Sequence, residues 1–260
     1  MTVQEMQQRK RELGLTNQEI ADRCGLSVPT VQRIISGSDI NSRAYSKEMI
    51  EAVLMDTPKL REGEAAYKYG YMKKKQGEYT LEDYFELPED ERCEIINGVI
   101  YDMTAPVVSH QDISGAIYGI FWTHIKNNKG PCKTFSSPID VILDDKTIVQ
   151  PDVLILCDKN KIEKGRIKGA PDFVVEVVSP SSRSRDHVLK LNKYMECGVR
   201  EYWIVDPLSE KITVYLFGEE WGGESDLEIY EYSFDDKVPV SIWSKECLVD
   251  FAEIKENLWE

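Results

Sequence analysis

PDVLIL (151–156), APDFVVEVVSP (170–180) and RDHVLKLNKYMECGVREYWIVDP (185–207) follow one another in this chain and decide its reading. Val153 to Leu156, Phe173 to Val178 and Glu201 to Val205 are short apolar, β-branched runs, which read as buried strands. Between the last two, Ser184 to Cys197 has the composition of a helix and stops at Gly198. A strand, helix, strand unit of this length implies a parallel pair joined by a right-handed crossover. Two carboxylates, Asp152 and Glu176, interrupt these runs. Burying an ionised carboxylate is costly unless a cation or a proton compensates it, so a metal site is the first hypothesis.

Working outward, the signals continue to alternate. Cys93 to Ile96 and Val99 to Met103 flank Asn97-Gly98, a strong two-residue hairpin signal. Ser109 to Lys126 carries Ile113, Ile117, Ile120, Phe121 and Ile125 at helical spacing, which predicts one face packed on a sheet. Ile139 to Leu143 and Ile148 to Leu156 are read as a second hairpin about Asp144-Asp145-Lys146. Ile212 to Phe217 and Leu227 to Phe234 read as further antiparallel strands. Thr80 and Asp83 form a capping box before Tyr84 and Phe85, near the start of this region. The fold class is α/β or α+β with a mixed sheet.

The first 60 residues differ, with signals only for short helices. Val3 to Leu13 is helical by composition and ends at Gly14. Thr16 and Glu19 box the start of a second helix that runs to Cys24 and stops at Gly25. Ser27 caps a third, with Val31, Ile34 and Ile35 on one face before Gly37. The segment LTNQEIADRCGLSVPTVQRIISG (15–37) resembles the helix-turn-helix of the lambda-repressor-like family, whose second helix enters the DNA major groove. That resemblance implies that Val28, Thr30, Gln32 and Arg33 face bases or phosphates. An uncommitted helical bundle is the plainer alternative. Expected boundaries are 1–57 for the helix-turn-helix, 58–78 for a linker that is partly helical over 64–71, and 79–260 for the larger domain.

Net charge bounds the partners. The chain carries 32 Lys+Arg against 46 Asp+Glu, a formal charge of -14, which argues against an indiscriminately basic nucleic-acid binder. The acidity is concentrated at the end: residues 218–260 hold 3 basic against 13 acidic side chains, whereas residues 1–60 balance at 8 and 8. Lys73, Lys74 and Lys75 form a local basic run at the junction. No apolar stretch approaches the roughly 18 residues of a membrane span, so no membrane partner and a cytoplasmic location are expected. The six cysteines form no CxxC pair, and reduced thiols are expected. There is no GxxxxGK(S/T) loop and no HExxH, so neither ATP nor zinc is implied.

Taken in order, PD before an apolar run, PDFVVEVVSPSS, RDHVLKLNKY and GVREYWIVDP resemble the Uma-two family of restriction endonucleases, within the PD-(D/E)XK nuclease superfamily. The resemblance spans roughly residues 80–217. It implies a restriction-endonuclease-like mixed sheet with flanking helices, and a metal-dependent endonuclease that hydrolyses DNA phosphodiester bonds. Asp152 and Glu176 would hold Mg²⁺, with Mn²⁺ as the alternative ion. Mg²⁺ prefers oxygen ligands and takes one or two carboxylates while keeping several waters, which suits this pair. The superfamily lysine two residues after the second carboxylate is replaced by Val178. The family supplies it from the next helix, at Lys190, with Lys193 as runner-up. The plain reading of Lys190 is an i,i+4 pair with Asp186 on an exposed helix face. Glu94 is a further catalytic candidate from the CEIINGVIYDM hairpin, against a surface-edge glutamate, and His110 lies where the family has a histidine. The rival functions are a DNA-binding regulator whose nuclease fold cuts nothing, and a protein-interaction adaptor. A homodimer on paired half-sites is the arrangement common to helix-turn-helix modules.

Overall fold

A computed structural model describes residues 1–12, 15–24, 26–38, 44–55, 74–88, 92–103, 105–179, 185–218 and 227–259. The expected partial helix over 64–71 and Lys73 lie outside them. The chain divides into two compact units, one of residues 1–75 and 182–192, the other of residues 76–181 and 193–260. Among the described residues no helix is long and apolar enough to cross a membrane.

The helical unit holds α1 (Val3–Glu12), α2 (Asn17–Cys24), α3 (Val28–Ser36) and α4 (Ala44–Met55). Ser27 sits in extended backbone and its hydroxyl accepts the Thr30 N–H, satisfying one of the donors that every helix start leaves open. Gly37 adopts φ +74°, the left-handed conformation that closes α3. Met6, Ile20, Ala21, Cys24, Val31, Ile34, Ile35, Ile50, Val53 and Leu54 are buried together. The 3.6-residue spacing in each short helix therefore supplies one apolar stripe to a shared core.

In the second unit β1 (Cys93–Ile96) and β2 (Val99–Asp102) form the expected hairpin, with Asn97 at φ 52° and Gly98 at φ 75°. Just before it, the short helix α5 (Leu81–Phe85) begins where the Asp83 carboxylate accepts the Thr80 N–H at 2.7 Å. The long helix α6 (Val108–Asn128) buries Ile113, Ile117 and Phe121. Then come β3 (Lys133–Ser136), β4 (Val141–Asp144), β5 (Thr147–Val149), β6 (Val153–Leu156), β7 (Ile162–Glu163), β8 (Arg166–Lys168) and β9 (Phe173–Val177). A π-helical turn over Arg185–Lys190 leads into α7 (Leu191–Cys197), followed by β10 (Glu201–Asp206), β11 (Lys211–Phe217), β12 (Leu227–Ser233), β13 (Lys237–Pro239), β14 (Leu248–Asp250) and α8 (Phe251–Glu256). One sheet runs β2-β1-β5-β4-β8-β7, the other β12-β11-β10-β9-β6-β3, and β13 pairs with β14. The parallel β9–β10 pair is the only such pair of the second sheet among the described residues. The fold is thus a mixed α+β core accompanied by a small all-α module.

Three expectations change. Residues 148–156 are not one strand: β5 belongs to the first sheet and β6 to the second, and the chain changes sheets at Gln150-Pro151-Asp152. Proline has no N–H to continue a ladder, so the run breaks there. The helix expected from Ser184 begins, in its described part, as a π turn over Arg185–Lys190. Finally, Cys132 and Cys157 are joined as a disulfide, while Cys24, Cys93, Cys197 and Cys247 remain thiols. The β3–β6 register pairs Lys133 with Leu156, which puts the two cysteines next in line across the ladder. Twenty-five residues of separation hid that adjacency.

Candidate functional site

Side-chain alternation sets which face each candidate occupies. On β6, β9 and β10 the odd-numbered residues Val153, Ile155, Phe173, Val175, Val177, Trp203 and Val205 are buried in one cluster with Ile113, Ile117 and Phe121 of α6. Even-numbered residues point the other way. Val153 pairs with Val175 across the antiparallel β6–β9 ladder, and one further step in that register puts Asp152 opposite Glu176. Directly opposed residues share a face at roughly 4.5–5.5 Å between Cβ atoms. The register therefore opposes the two carboxylates at the point where Pro151 lets the chain change sheets.

Each carboxylate is held by a specific donor. Asp152 Oδ2 accepts the Val177 N–H at 2.8 Å and lies 3.1 Å from His110 Nε2. Glu176 is 4 % exposed, and its Oε1 accepts the Tyr194 hydroxyl at 2.8 Å. Glu94 is 1 % exposed, so it is not a surface-edge residue, and its Oε1 accepts the Gln150 N–H at 2.9 Å. That bond ties the first sheet's glutamate to the backbone two residues before Asp152. Tyr194 records the convergence electrostatically. Burial first, then the charges of Glu176, Tyr202 and Glu94 and the hydrogen bond to Glu176, hold its phenol well above 10. It stays a neutral donor throughout the physiological range.

A second layer fixes Gln150. Its Nε2 donates to Tyr84 Oη at 3.1 Å and to Asp140 Oδ1 at 3.0 Å. Asp140 also accepts from the Tyr84 hydroxyl at 2.9 Å and from Arg166 Nε at 3.0 Å. Burial and the neighbouring Asp140 raise the Tyr84 phenol as well. Sequence reading missed Tyr194 and Gln150. The signals were there, since Gln150 directly precedes Pro151-Asp152 and Tyr194 closes RDHVLKLNKY, but neither residue type announces a role by itself.

The two lysine candidates are placed very differently. Lys193 Nζ lies 2.8 Å from Asp144 Oδ2 and 3.1 Å from Glu196 Oε2, so its ammonium is already committed to two carboxylates. Burial opposes that charge, but the two carboxylates outweigh it and raise the lysine's pKa. Lys190 belongs to the helical unit and is 3 % exposed, with Nζ 3.5 Å from Asp186 Oδ1. The i,i+4 pair exists, but it is buried rather than on an exposed face. In α3, Gln32 and Arg33 are exposed, whereas Thr30 and Val28 are half-buried, and Val28 packs against the helical core. Arg33 Nη2 lies 3.5 Å from Thr30 Oγ1, which bonds Ser27 Oγ at 2.8 Å. The more structural candidates are equally clear. Asp172 Oδ2 accepts the Cys157 N–H, Asp206 accepts from Leu208 and Ser209, and Trp203 and Tyr202 are fully buried.

The donor set tests the metal hypothesis. All the converging ligands are carboxylate oxygens, which suits a hard divalent cation and not zinc in a sulfur or imidazole cage. Among the described residues no group of three or more His, Cys, Asp or Glu is placed to hold a metal ion. A pair of carboxylates completed by water and substrate phosphate is what Mg²⁺ usually uses, so the residues present fit that ion.

Comparison with known proteins agrees with this geometry. The Uma2 family model, described as "Putative restriction endonuclease", matches residues 81–240. The chain is a member of the Uma2 family. A second family model, described as "Helix-turn-helix", matches residues 6–47. The Uma2 chain is 27 % identical over 161 residues to "Uncharacterized protein slr1290" of Synechocystis sp., covering 60 % of this chain and 82 % of that protein. The crystal structure of a "putative nuclease belonging to DUF820" from Anabaena variabilis superposes with a TM-score of 0.54 at 20 % identity, covering 68 % of this chain and 97 % of the other. That likeness shows the fold. This Uma2 protein therefore pairs a helix-turn-helix with a core of a nuclease family.

Proposed function

We propose that this protein is a Mg²⁺-dependent DNA endonuclease, acting in the cytoplasm and targeted by its helix-turn-helix. The observation that carries the reading is the opposition of Asp152 and Glu176 across the β6–β9 register at the Pro151 break, each oxygen-held by its own donor. Those two side chains would hold Mg²⁺ or Mn²⁺, which when bound lowers the pKa of a water and offsets charge on the scissile phosphate. The chain's own residues do the rest. Tyr194 and the Val177 N–H orient the carboxylates, His110 Nε2 steadies Asp152, and Glu94 presents a third carboxylate from the other sheet to align water. Lys190 is the cation assigned to stabilise the pentavalent phosphorane charge, where the family places its lysine. Water oxygen bonds to phosphorus, giving up its proton to solvent, as the phosphorus–oxygen bond to the leaving sugar breaks and the departing oxygen takes a proton from solvent. Gln32 and Arg33, with Thr30 and Val28 beside them, read or anchor the DNA, and a homodimer would match paired half-sites.

The test is cleavage of supercoiled and single-stranded DNA by the purified protein with Mg²⁺, Mn²⁺ or EDTA, beside Glu176→Ala. Cleavage that requires the metal and is lost in the variant supports the reading. No cleavage with either ion favours the second reading, a DNA-binding regulator, for which Val178 in the usual lysine position speaks.

A further inference from the structure

The helical unit contains more than the helix-turn-helix. It also holds residues 185–192, the stretch that carries Lys190. Two anchors within that unit pin the stretch. Val188, 5 % exposed, is buried in the same cluster as Ile20, Ala21, Val31 and Leu54. Asn192 Nδ2 donates to the Cys24 carbonyl at 2.9 Å. Cys24 is the last residue of α2, and the final carbonyls of a helix have no acceptor role left inside it. Asn192 therefore caps α2 from outside, at the turn that leads into α3. Lys190 sits two residues from each anchor, buried beside Asp186. A lysine is a point charge on a flexible four-carbon stem, so its ammonium has a defined place only where its backbone does.

We infer that Asn192 is a positioning residue for Lys190, fixing the stretch that carries it against α2 within the helical unit. The inference rests on the reading of Lys190 given above. It requires a side-chain N–H at position 192. Asparagine and glutamine have one, whereas aspartate, of the same shape as asparagine, has none.

The experiment uses the full chain and two readouts. Amine acetylation followed by mass spectrometry measures how fast each lysine reacts, and plasmid cleavage with Mg²⁺ gives kcat and KM. In the parent, Lys190 reacts far more slowly than exposed Lys237. In Asn192→Asp and Asn192→Ala it reacts up to about tenfold faster, the change that a hydrogen bond worth about 1.4 kcal/mol would produce. Lys237 is unchanged, kcat falls by a similar factor with KM held, and Asn192→Gln recovers part of both effects. Arg33→Ala gives the opposite split, a raised KM with Lys190 still protected. Equal Lys190 reactivity and kcat in Asn192→Asp, Asn192→Gln and the parent overturns the inference. Should Asn192→Ala not fold, the near-isosteric Asp and Gln variants still decide it. A parent that cuts nothing overturns the nuclease reading alone, because the acetylation contrast still tests whether Asn192 places Lys190.

Discussion

Tyr194 is the residue on which the candidate site turns. Its hydroxyl donates to Glu176, and its phenol is held well above 10, first by burial and then by the charges of Glu176, Tyr202 and Glu94. A folded-state pKa raised above the unfolded value gives stability that is fully present below about 10 and is lost as pH rises through the folded value. The parent should therefore lose stability more steeply above pH 10 than Tyr194→Phe does, measured by denaturant unfolding across that range. At pH 7 the same variant should lose about 1–2 kcal/mol, because it removes a buried charge-assisted hydrogen bond. If Glu176 holds the metal, cleavage by Tyr194→Phe should also fall while DNA affinity stays. Lys193 offers the contrast. Its ammonium is engaged by Asp144 and Glu196, so Lys193→Met should leave cleavage within about twofold of the parent and cost less than about 1 kcal/mol, as partly exposed ion pairs do.

Elements explain why the carboxylates meet. The β1–β2 turn needs Asn97 and Gly98 in left-handed backbone, and a Cβ on Gly98 would lie 2.5 Å from the Gly77 carbonyl oxygen. Gly98→Ala is therefore expected to cost about 2–3 kcal/mol through both strain and overlap, read as a lowered denaturation midpoint. Because this hairpin carries Glu94, the Gln150 N–H to Glu94 contact should weaken with it. The break at Pro151 matters just as much. β5 hands the chain to β6 there, and Asp152 becomes the first residue after the handover, free of the first ladder and tied to Val177 by its side chain. Periodicity alone read 148–156 as one strand, because both halves are apolar and the proline's effect depends on which strands lie alongside.

At the scale of the whole molecule, charge and architecture separate two tasks. The chain is acidic at -14, yet residues 1–60 balance at 8 basic and 8 acidic side chains. DNA binding should therefore be modest, sensitive to salt, and dependent on a few side chains rather than on a broad basic field. Arg33→Ala should weaken binding and reduce the slope of log K against log salt by about 1, as loss of a single phosphate contact does. A titration over salt by fluorescence anisotropy measures that slope. An unchanged slope in Arg33→Ala would place the DNA contacts elsewhere than α3.

Much of this protein was legible in its sequence because local rules carry the information. The NG turn, the capping Ser27 and the helical stripe of Ile113, Ile117 and Phe121 follow from spacing within a few residues, the parallel β9–β10 pair from the strand, helix, strand order, and the motifs around Asp152 and Glu176 from the family resemblance. Only the tertiary structure decided the rest. The sheet change at Pro151, the Gln150 N–H on Glu94, the Tyr194 hydroxyl on Glu176, the Cys132–Cys157 bond and the seat of Lys190 beside α2 join residues 18 to 168 positions apart. Periodicity reports which face a side chain takes, but which partner it meets there depends on how separate elements pack, and packing is a property of the whole chain.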